Sequence, residues 1–405
     1  MRRILIVAYY YPPIAGIGSI RLASFARHLP EFGWEPTVLS PATTPHPHDR
    51  SIPIPAANVV RSPALEPSLI ARAFSRGGGH EANGLSDPGT ARSAVKRFLY
   101  PDPQIGWYPG AVAAGLRALR KESFDVIFSS SFPITAHLVA RTLSRRATIP
   151  WVAEFRDPWS ATLPLDHPHR RRAAGLEAKI ANEASRVVMP TPTWAEHFAA
   201  VWGKEVEVVR NGHELEPRPA QKPKTPTLTH LGSFYPDRQS LAPLWRALSA
   251  WALEAGEIPR VRFIGDLHPD VAAEADLAGV GHLAAATGQV PHTEAMRLLA
   301  ESSMLFASGQ GGEDPVARGW IPAKLYEYLA TGLPILYLGD PESDAGAMLA
   351  SQPGCFVLSD QDAAETDRAI SSGLRQGTSE RDLAFLSRQA AGAELARVLD
   401  AAVTR

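Results

Sequence analysis

The chain has 405 residues, of which 45% are hydrophobic and 20% charged, a composition typical of a globular protein with two domains. Its 41 Lys and Arg residues and 42 Asp and Glu residues leave no basic surplus, so we expect no nucleic-acid partner. A single cysteine excludes an internal disulfide framework and a cysteine-based metal cluster, and it favours a cytoplasmic location. No apolar run approaches the length of a membrane span, whereas peripheral contact with the inner face of a membrane stays open.

The chain begins with a β-loop-α-β unit. Arg3–Tyr9 is a continuous apolar run, typical of a strand buried on both faces of a parallel sheet. The loop after it contains Gly16 and Gly18. A helix is predicted over Ile20–Phe32 and a second strand over Glu35–Ser40. Glycines at such a turn let a phosphate approach the backbone, although a tight turn without a ligand is the alternative.

Residues 41–95 are rich in Pro, Gly, Ser and His, which predicts a long mobile insertion with about one short helix. The βα rhythm then resumes, and it restarts after a proline-rich linker at Pro217–Pro226. Helices are predicted over Gly110–Lys121, Ile134–Leu143, Arg170–Glu183, Ser240–Glu254, His292–Ser302 and Ser387–Ala402. Strands are predicted over Asp125–Ser129, Trp151–Phe155, Arg186–Pro190, Lys204–Val209, Leu228–Leu231, Arg260–Ile264, Met304–Ala307 and Pro334–Leu338.

This alternation predicts an α/β protein of two doubly wound, parallel-sheet domains that face each other across a central cleft. We expect the first domain to span residues 1–216 and the second residues 217–386. The final helix, residues 387–405, is expected to pack back on the first domain.

Polar side chains follow two strands of the first half. Ser131 and His137 come after one strand, and Arg156, Asp157 and Trp159 come after the next. Because open α/β sheets bind ligands at the carboxyl ends of their strands, these residues are candidates for acceptor contacts. The alternatives are a hydrogen-bonded helix histidine and a structural ion pair covered by Trp159.

A short basic run, Asp166–Arg172, follows in the first half and contains two histidines and three arginines. Most such runs form a solvated surface. The alternative is a docking site for a phosphorylated or lipid-phosphate acceptor.

The most informative segment is Ile321–Tyr337, which predicts a helix that ends at Gly332 and leads into a buried strand. Lys324 and Glu327 are three residues apart, so both side chains can project from the first turns. A lysine and free N–H groups at a helix start favour a diphosphate, and a carboxylate can accept hydrogen bonds from a ribose diol. An amphipathic helix with an incidental salt bridge explains the same residues.

Three further segments of the second half place glycines after strands. Gly232 and Ser233 precede Arg238, a residue type suited to phosphate, and Gly265 follows the next strand. The Gly-rich loop Ser308–Asp314 directly precedes the motif helix. Each has a structural alternative as a turn or a surface arginine.

Together these segments resemble the bacterial GT-B glycosyltransferases of family 4, a retaining group that uses nucleotide sugars. The similarity covers nearly the whole chain. It rests on five segments in this order: Tyr10–Pro13 with Gly16–Gly18, Phe155–Trp159, Asn211–Gly212, Gly232–Arg238 and Lys324–Gly332.

The resemblance implies that the second, Rossmann-like half binds a nucleoside-diphosphate sugar and the first half an acceptor. It implies catalytic roles for Arg238, Lys324, His137 and Asp157, with the first two holding the diphosphate. The implied donor-binding residues are Gly16, Gly18, Gly232, Ser233, Arg238, Gly265, Lys324, Leu325 and Glu327, the last as the ribose ligand. The acceptor-side candidates are Ser131, His137, Arg156, Asp157 and Trp159.

The chain departs from the family pattern at two positions. The first glutamate of the family's E-x7-E motif falls on Gly319, and Glu313 or Asp314 in the preceding loop, or backbone N–H groups, could replace it. The family's usual lysine after Gly232 is also absent, which leaves Arg238 to carry that charge.

We therefore expect a retaining, metal-independent transfer from a UDP-sugar, or next a GDP-sugar, to a hydroxyl or other nucleophile of a glycan precursor or natural-product acceptor. No cofactor beyond the donor is expected, because Arg238, Lys324 and helix N-termini would stabilise the leaving diphosphate. A monomer and a homodimer both stay open. The alternatives are a sugar-nucleotide epimerase of the same architecture and a non-catalytic scaffold that binds nucleotide sugar. An NAD oxidoreductase is disfavoured, because no acidic residue ends the second strand.

Overall fold

A computed structural model of the protein describes residues 1–49, 52–55, 57–65, 99–214, 223–237, 239–253, 258–312, 314–359 and 363–404. The chain forms two compact units. The first comprises Met1–Pro190, Trp194–Arg210 and Ala391–Arg405, and the second comprises Thr191–Thr193 and Asn211–Ala390. The end of the chain therefore returns to the first unit.

The first unit contains a parallel sheet. Its strands are β1 (Arg2–Val7), β2 (Trp34–Pro41), β3 (Asn58–Ser62), β4 (Val126–Ser131), β5 (Trp151–Phe155), β6 (Arg186–Met189) and β7 (Glu207–Val208). They lie in the order β3-β2-β1-β4-β5-β6-β7 and every pair is parallel. The connecting helices are α1 (Ile17–His28), α2 (Tyr108–Lys121), α3 (Thr135–Ala147), α4 (Trp159–Thr162), α5 (Arg170–Glu183) and α6 (Pro192–Trp202).

The second unit repeats this architecture. Its strands are β8 (Thr227–Leu231), β9 (Arg260–Ile264), β10 (Ala284–Ala286), β11 (Met304–Ser308), β12 (Ile335–Leu338) and β13 (Cys355–Leu358), in the order β10-β9-β8-β11-β12-β13 and all parallel. Its helices are α7 (Ala242–Leu253), α8 (Pro269–Leu277), α9 (His292–Ala300), α10 (Pro315–Arg318), α11 (Lys324–Thr331), α12 (Asp344–Ala350) and α13 (Ala363–Gln376). Helix α14 (Arg388–Val403) follows.

The core of the first unit explains why its strands are apolar. Ile4 and Ile6 of β1 are fully buried, because helices cover both faces of the parallel sheet. Leu395 and Leu399 of α14 belong to the same hydrophobic cluster as these strand residues. The C-terminal helix therefore completes the core of the first unit.

The predicted α/β fold with two doubly wound parallel sheets is confirmed, and three elements have the predicted bounds: β5, α5 and β9. The prediction of an irregular insertion is wrong at Asn58–Ser62, which forms β3 at the edge of the first sheet. Residues 66–95 of that insertion and residues 217–222 of the predicted linker lie outside the described residues. The sequence did not predict helices α4, α6, α8, α10, α12 and α13 or strands β10 and β13.

Within the described part of the chain, no helix combines the length and the apolar character needed to cross a membrane.

Candidate functional site

Helix α11 carries the motif that the sequence singled out. It begins at Lys324, two residues after the predicted start at Pro322, and is followed by Gly332 in the left-handed conformation (φ 72°). Leu325, Tyr328 and Leu329 are buried, which confirms the predicted apolar stripe. This burial orients the helix and leaves Lys324 only partly exposed in its first turn.

The ammonium group of Lys324 is held at the carboxyl end of β8. Its Nζ atom lies 2.8 Å from Nε2 of His230 and donates to the carbonyl oxygen of Ser233 at 3.2 Å. The His230 ring is fully buried, and its Nδ1 lies 3.2 Å from the carbonyl oxygen of Phe306. We assign the proton to Nδ1 from this network, so that Nε2 accepts a hydrogen bond from Lys324.

Burial makes this pair reluctant to carry charge. It lowers the pKa of Lys324 to about 7, against an opposing effect of Glu327. It also lowers the pKa of His230 well below the usual value, and the nearby lysine adds to this shift. His230 is therefore neutral. Lys324 is about half protonated near pH 7, and an incoming anion would favour its charged form.

Glu327 presents a carboxylate with unused accepting capacity. The residue is 5% exposed, and burial raises its pKa while His292, Arg388 and Lys324 oppose the shift. Its Oε1 lies 3.9 Å from Nε2 of His292 and 4.0 Å from Nη2 of Arg388. These are ion-pair distances, and no described residue donates a hydrogen bond to the carboxylate, which can therefore accept from a ligand hydroxyl.

Two glycines bring the ends of β8 and β9 together beside Lys324. Gly232 and Gly265 have φ values of 81° and 128°, and the N–H of Gly232 donates to the carbonyl oxygen of Ile264 at 2.7 Å. A Cβ atom on Gly265 would lie 3.4 Å from the carbonyl oxygen of Gly232, and one on Gly232 would lie 4.0 Å from Nζ of Lys324. The expected donor residues Gly232, Ser233, Gly265 and Lys324 thus lie near one another.

Three other expected donor residues have different outcomes. Arg238 and Glu313 lie outside the described residues, and the role of Arg238 stays a prediction. The Leu325 side chain is fully buried, and its N–H donates to the carbonyl oxygen of Pro322 at 3.0 Å, so it supports the helix. The expected donor contact of Leu325 stays a prediction.

Asp314 caps a helix through one of its two carboxylate oxygens. Its Oδ1 accepts from the N–H groups of Val316 and Ala317 at 2.9 and 3.2 Å and so caps α10. Its replacement of the first motif glutamate stays a prediction.

In the first unit, the side chain of Arg156 lies so close to Gly18 that any larger residue there would force it to move. A Cβ atom at this position would lie 2.0 Å from Nη1 of Arg156. Arg156 donates to the carbonyl oxygens of Ser131 and Phe132 at 2.5 and 2.9 Å. Gly16, in contrast, has φ 118° and open space where a Cβ would stand, so its backbone conformation requires glycine there. Gly18 thus makes room for an arginine of the acceptor-side candidates.

A second arginine of the first unit forms a buried ion pair. Nη2 of Arg21 donates to Oε1 of Glu154 at 2.6 Å, and Oγ of Ser130 donates to Oε2 at 2.6 Å. Arg21 also donates to the carbonyl oxygens of Val209 and Arg210. Both charges are hydrogen-bonded, which is the condition for burying an ion pair. Arg21, which stands where a dinucleotide fingerprint has its third glycine, is a structural residue.

His137 is fully buried in this structure, and its expected catalytic contact with the donor sugar stays a prediction. The ring is fully buried, 4.7 Å from the ring of Phe155, and Nδ1 lies 2.7 Å from Oγ of Ser129. Burial, with Arg156 nearby, lowers its pKa to about 3, so the ring is neutral. Its Nε2 has no hydrogen-bond partner in the described structure.

The remaining acceptor-side candidates differ in exposure. Ser131 is fully buried and Trp159 is 4% exposed, 6.0 Å from the ring of Tyr100, so both act in packing here. Arg156 and Asp157 are half-buried, and burial raises the pKa of Asp157 against the opposing charge of Arg156. Asp157 stays a candidate for contact with a ligand.

Sequence reasoning missed three side chains of the second unit: His230, His292 and Arg388. A lone histidine inside an apolar strand is the only local signal for His230. Arg388 is distant in sequence from Glu327. It is held near Glu327 by hydrogen bonds between the start of α14 and residues Asn211–Glu214, among them one from the N–H of Arg388 to the carbonyl oxygen of His213. No local pattern encodes that approach.

The comparisons with known proteins agree with this geometry. Residues 18–212, slightly less than half of the chain, match the family described as a glycosyl transferase 4-like domain. No curated protein matches the sequence.

Solved structures align over both units. Anabaena Alr3699/HepE in complex with UDP and glucose is 13% identical, with a TM-score of 0.59 over 99% of this chain and 100% of that one. The lipopolysaccharide outer core galactosyltransferase WaaB is 11% identical, with a TM-score of 0.58 over 99% of each chain. The fold is GT-B. A UDP-GlcNAc 2-epimerase from Methanocaldococcus jannaschii also aligns, at 12% identity with a TM-score of 0.52 over 99% of this chain and 100% of that one.

The expected enzyme class, a glycosyltransferase, is confirmed at the level of the matched domain and the GT-B fold. Among the residues that the structure describes, no group of three or more His, Cys, Asp or Glu side chains is placed to hold a metal ion.

Proposed function

We propose that the protein is a retaining, metal-independent glycosyltransferase that uses a nucleoside-diphosphate sugar, UDP-linked before GDP-linked. The acceptor supplies a hydroxyl group and belongs to a glycan precursor or a natural product. The observation that carries the proposal is the pairing, within two turns of α11, of a desolvated lysine held by His230 with a carboxylate free of hydrogen bonds.

These two groups suit the two ends of a nucleoside diphosphate. A diphosphate near Lys324 would restore the charge that burial disfavours, and the backbone at Gly232 leaves room for phosphate oxygens. The Glu327 carboxylate would accept hydrogen bonds from a ribose diol. The solved Anabaena structure with UDP and glucose shares this fold, which supports the donor class.

In the proposed reaction, the bond between the sugar's anomeric carbon and the diphosphate oxygen breaks as the acceptor oxygen bonds the same face of that carbon. The acceptor's proton passes to the departing phosphate oxygen. Negative charge therefore builds on the diphosphate, where Lys324 and Arg238 would stabilise it. Metal independence is proposed because these cations would replace the ion.

The first test is the melting temperature of the protein with UDP, GDP, TDP, ADP and NAD, with magnesium and with a chelator. A ligand at about 100 times its dissociation constant adds about 2.7 kcal/mol to the free energy of unfolding. We expect a shift with UDP that the chelator leaves unchanged. The proposal would be refuted if NAD alone shifted the melting temperature, or if none of the nucleotides did.

The second test is turnover in the Lys324→Ala variant, with Arg238→Ala in parallel. Each is expected to lower turnover by more than about tenfold, because each removes a charge at the leaving group. Lys121→Ala, on the exposed end of α2, is the matched control and should retain full activity. Normal turnover in a folded Lys324→Ala variant would remove Lys324 from the site. Consumption of donor to an isomeric nucleotide sugar without acceptor would favour the epimerase alternative.

A further inference from the structure

A cavity of about 640 Å³ lies in the first unit, in the region of helices α4, α5 and α6. Its volume is that of a ligand-binding pocket for a small molecule or headgroup. It takes side chains from the basic run of the sequence and from α6, and none of the nucleotide-sugar residues of the second unit contributes to it. It therefore calls for its own explanation.

Two arginines make the lining of this cavity cationic, and two histidines lie beside them. Arg170, Arg171, His167 and His197 all contribute to it. Arg170 donates through Nη1 to the carbonyl oxygens of Leu163 and Ala161, which fixes its guanidinium at the wall. Arg171 is exposed, and within the described ranges none of these four side chains forms an ion pair with a carboxylate. Among the described side chains, neither arginine at this wall has a carboxylate partner.

The start of α5 adds to the same positive potential. Arg170, Arg171 and Arg172 occupy the first turn, which contains no acidic residue. The N-terminus of a helix carries partial positive charge, so cations are unfavourable there and anions favourable. An anion in the cavity would meet both the arginines and the helix end.

The rim of the cavity is apolar. Leu165 is 87% exposed and Val201 is 58% exposed, and both line the cavity. Large apolar side chains held in water beside a cationic pocket are suited to an amphiphile, in which an anionic head is joined to a hydrocarbon chain. A small soluble anion would use only the arginines.

We propose that this cavity binds the phosphate headgroup of an anionic lipid and so docks the first unit on a membrane surface. Arg170 and Arg171 contact the phosphate, and Leu165 and Val201 enter the apolar layer beside it. The inference concerns the first unit alone and does not depend on the nucleotide-sugar proposal.

The test is sedimentation of the full chain with vesicles of phosphatidylcholine and with vesicles that also contain phosphatidylglycerol, at physiological ionic strength. We expect binding only to the anionic vesicles. Arg171→Glu should weaken it by at least about fivefold, since one basic side chain near such a surface contributes about that factor. Arg117→Glu, which reverses an exposed arginine of α2 away from the cavity, is the matched control and should bind like the wild type.

Two further measurements test whether the apolar rim contributes to binding and whether the bound phosphate belongs to a lipid. Leu165→Ser should also weaken vesicle binding, while inorganic phosphate at the same phosphate concentration should not displace the lipid. Equal loss in Arg171→Glu and Arg117→Glu, unchanged binding in both, or no binding by the wild type would overturn the proposal. Full displacement by inorganic phosphate would overturn the lipid assignment in favour of a soluble phosphorylated ligand. The melting temperature of each variant without ligand should match that of the wild type, which shows that each variant is folded.

Discussion

Each unit places a charged cluster at the carboxyl ends of its strands, and the two clusters differ in how their hydrogen bonds are completed. In the first unit, Glu154 accepts from Arg21 and Ser130, and Arg21 also donates to two backbone carbonyls. In the second unit, Lys324 meets only a neutral histidine and one carbonyl, and Glu327 receives no hydrogen bond from the described residues. The first cluster is complete without a ligand, whereas the second has capacity left for one.

The difference shows how a buried charge indicates function. A charge removed from water is costly unless protein groups replace the lost hydrogen bonds. Where they do, as at Arg21, the charge is part of the architecture. Where they do not, as at Lys324 and Glu327, an incoming ligand can supply the missing partners.

The largest effect is expected in the first cluster. Glu154→Ala leaves Arg21 buried without its counter-ion, so we expect the free energy of unfolding to fall by about 3–5 kcal/mol. Chemical denaturation measures it. Glu35→Ala, whose carboxylate is exposed and only 3.4 Å from Arg3, is the control and should cost less than about 1 kcal/mol. If Glu154→Ala lowered the free energy of unfolding as little as Glu35→Ala does, the Arg21–Glu154 pair would not be a structural ion pair.

The next effect tests the free capacity of Glu327. Glu327→Gln keeps the shape but loses the charge, so we expect UDP affinity to fall by roughly tenfold or more, since a hydrogen bond to a charged group contributes about 1.5–3 kcal/mol. Thermal stability without ligand should not fall, because no described residue donates a hydrogen bond to this carboxylate.

Calorimetric titration with UDP measures this affinity, and Glu294→Gln on the exposed face of α9 is the matched control. Unchanged affinity in Glu327→Gln together with a large loss of stability would mean that Glu327 is structural, as Glu154 is.

A smaller effect is expected where the first unit packs an arginine on a glycine. Gly18→Ala places a methyl group 2.0 Å from the present position of Nη1 of Arg156, so that side chain must move. We expect a loss of about 1–3 kcal/mol in the free energy of unfolding, the usual cost of overpacking. The double variant Gly18→Ala with Arg156→Ala should lose less than the two single changes together. Strict additivity would show that the two residues do not interact.

Most of the strands, the motif helix and its end at Gly332 could be predicted from the sequence, because apolar periodicity and helix-stop signals are local. The sequence did not predict which buried charges have their hydrogen bonds completed by protein groups. Whether Arg156 faces a ligand or covers Gly18 depends on how β4 and β5 align, and whether His137 is buried depends on the packing of Phe155. The approach of Arg388 to Glu327 joins residues on distant elements. Such long-range contacts decide which charges are free.

The smallest expected effect is a pH dependence of UDP binding that arises from Lys324 in the second unit. Because burial lowers the pKa of Lys324 to about 7, the free protein loses this proton as pH rises through 7, and a bound diphosphate raises that pKa again. Binding of UDP should therefore take up a proton above pH 7, and affinity should fall with rising pH by at most about tenfold per unit. Calorimetry in two buffers of different ionisation enthalpy measures the uptake. Lys324→Arg should bind without it, since a guanidinium stays protonated. Proton uptake that persists in Lys324→Arg would show that another residue titrates when UDP binds. Lys324 would then not be the buried charge whose missing partner the ligand supplies.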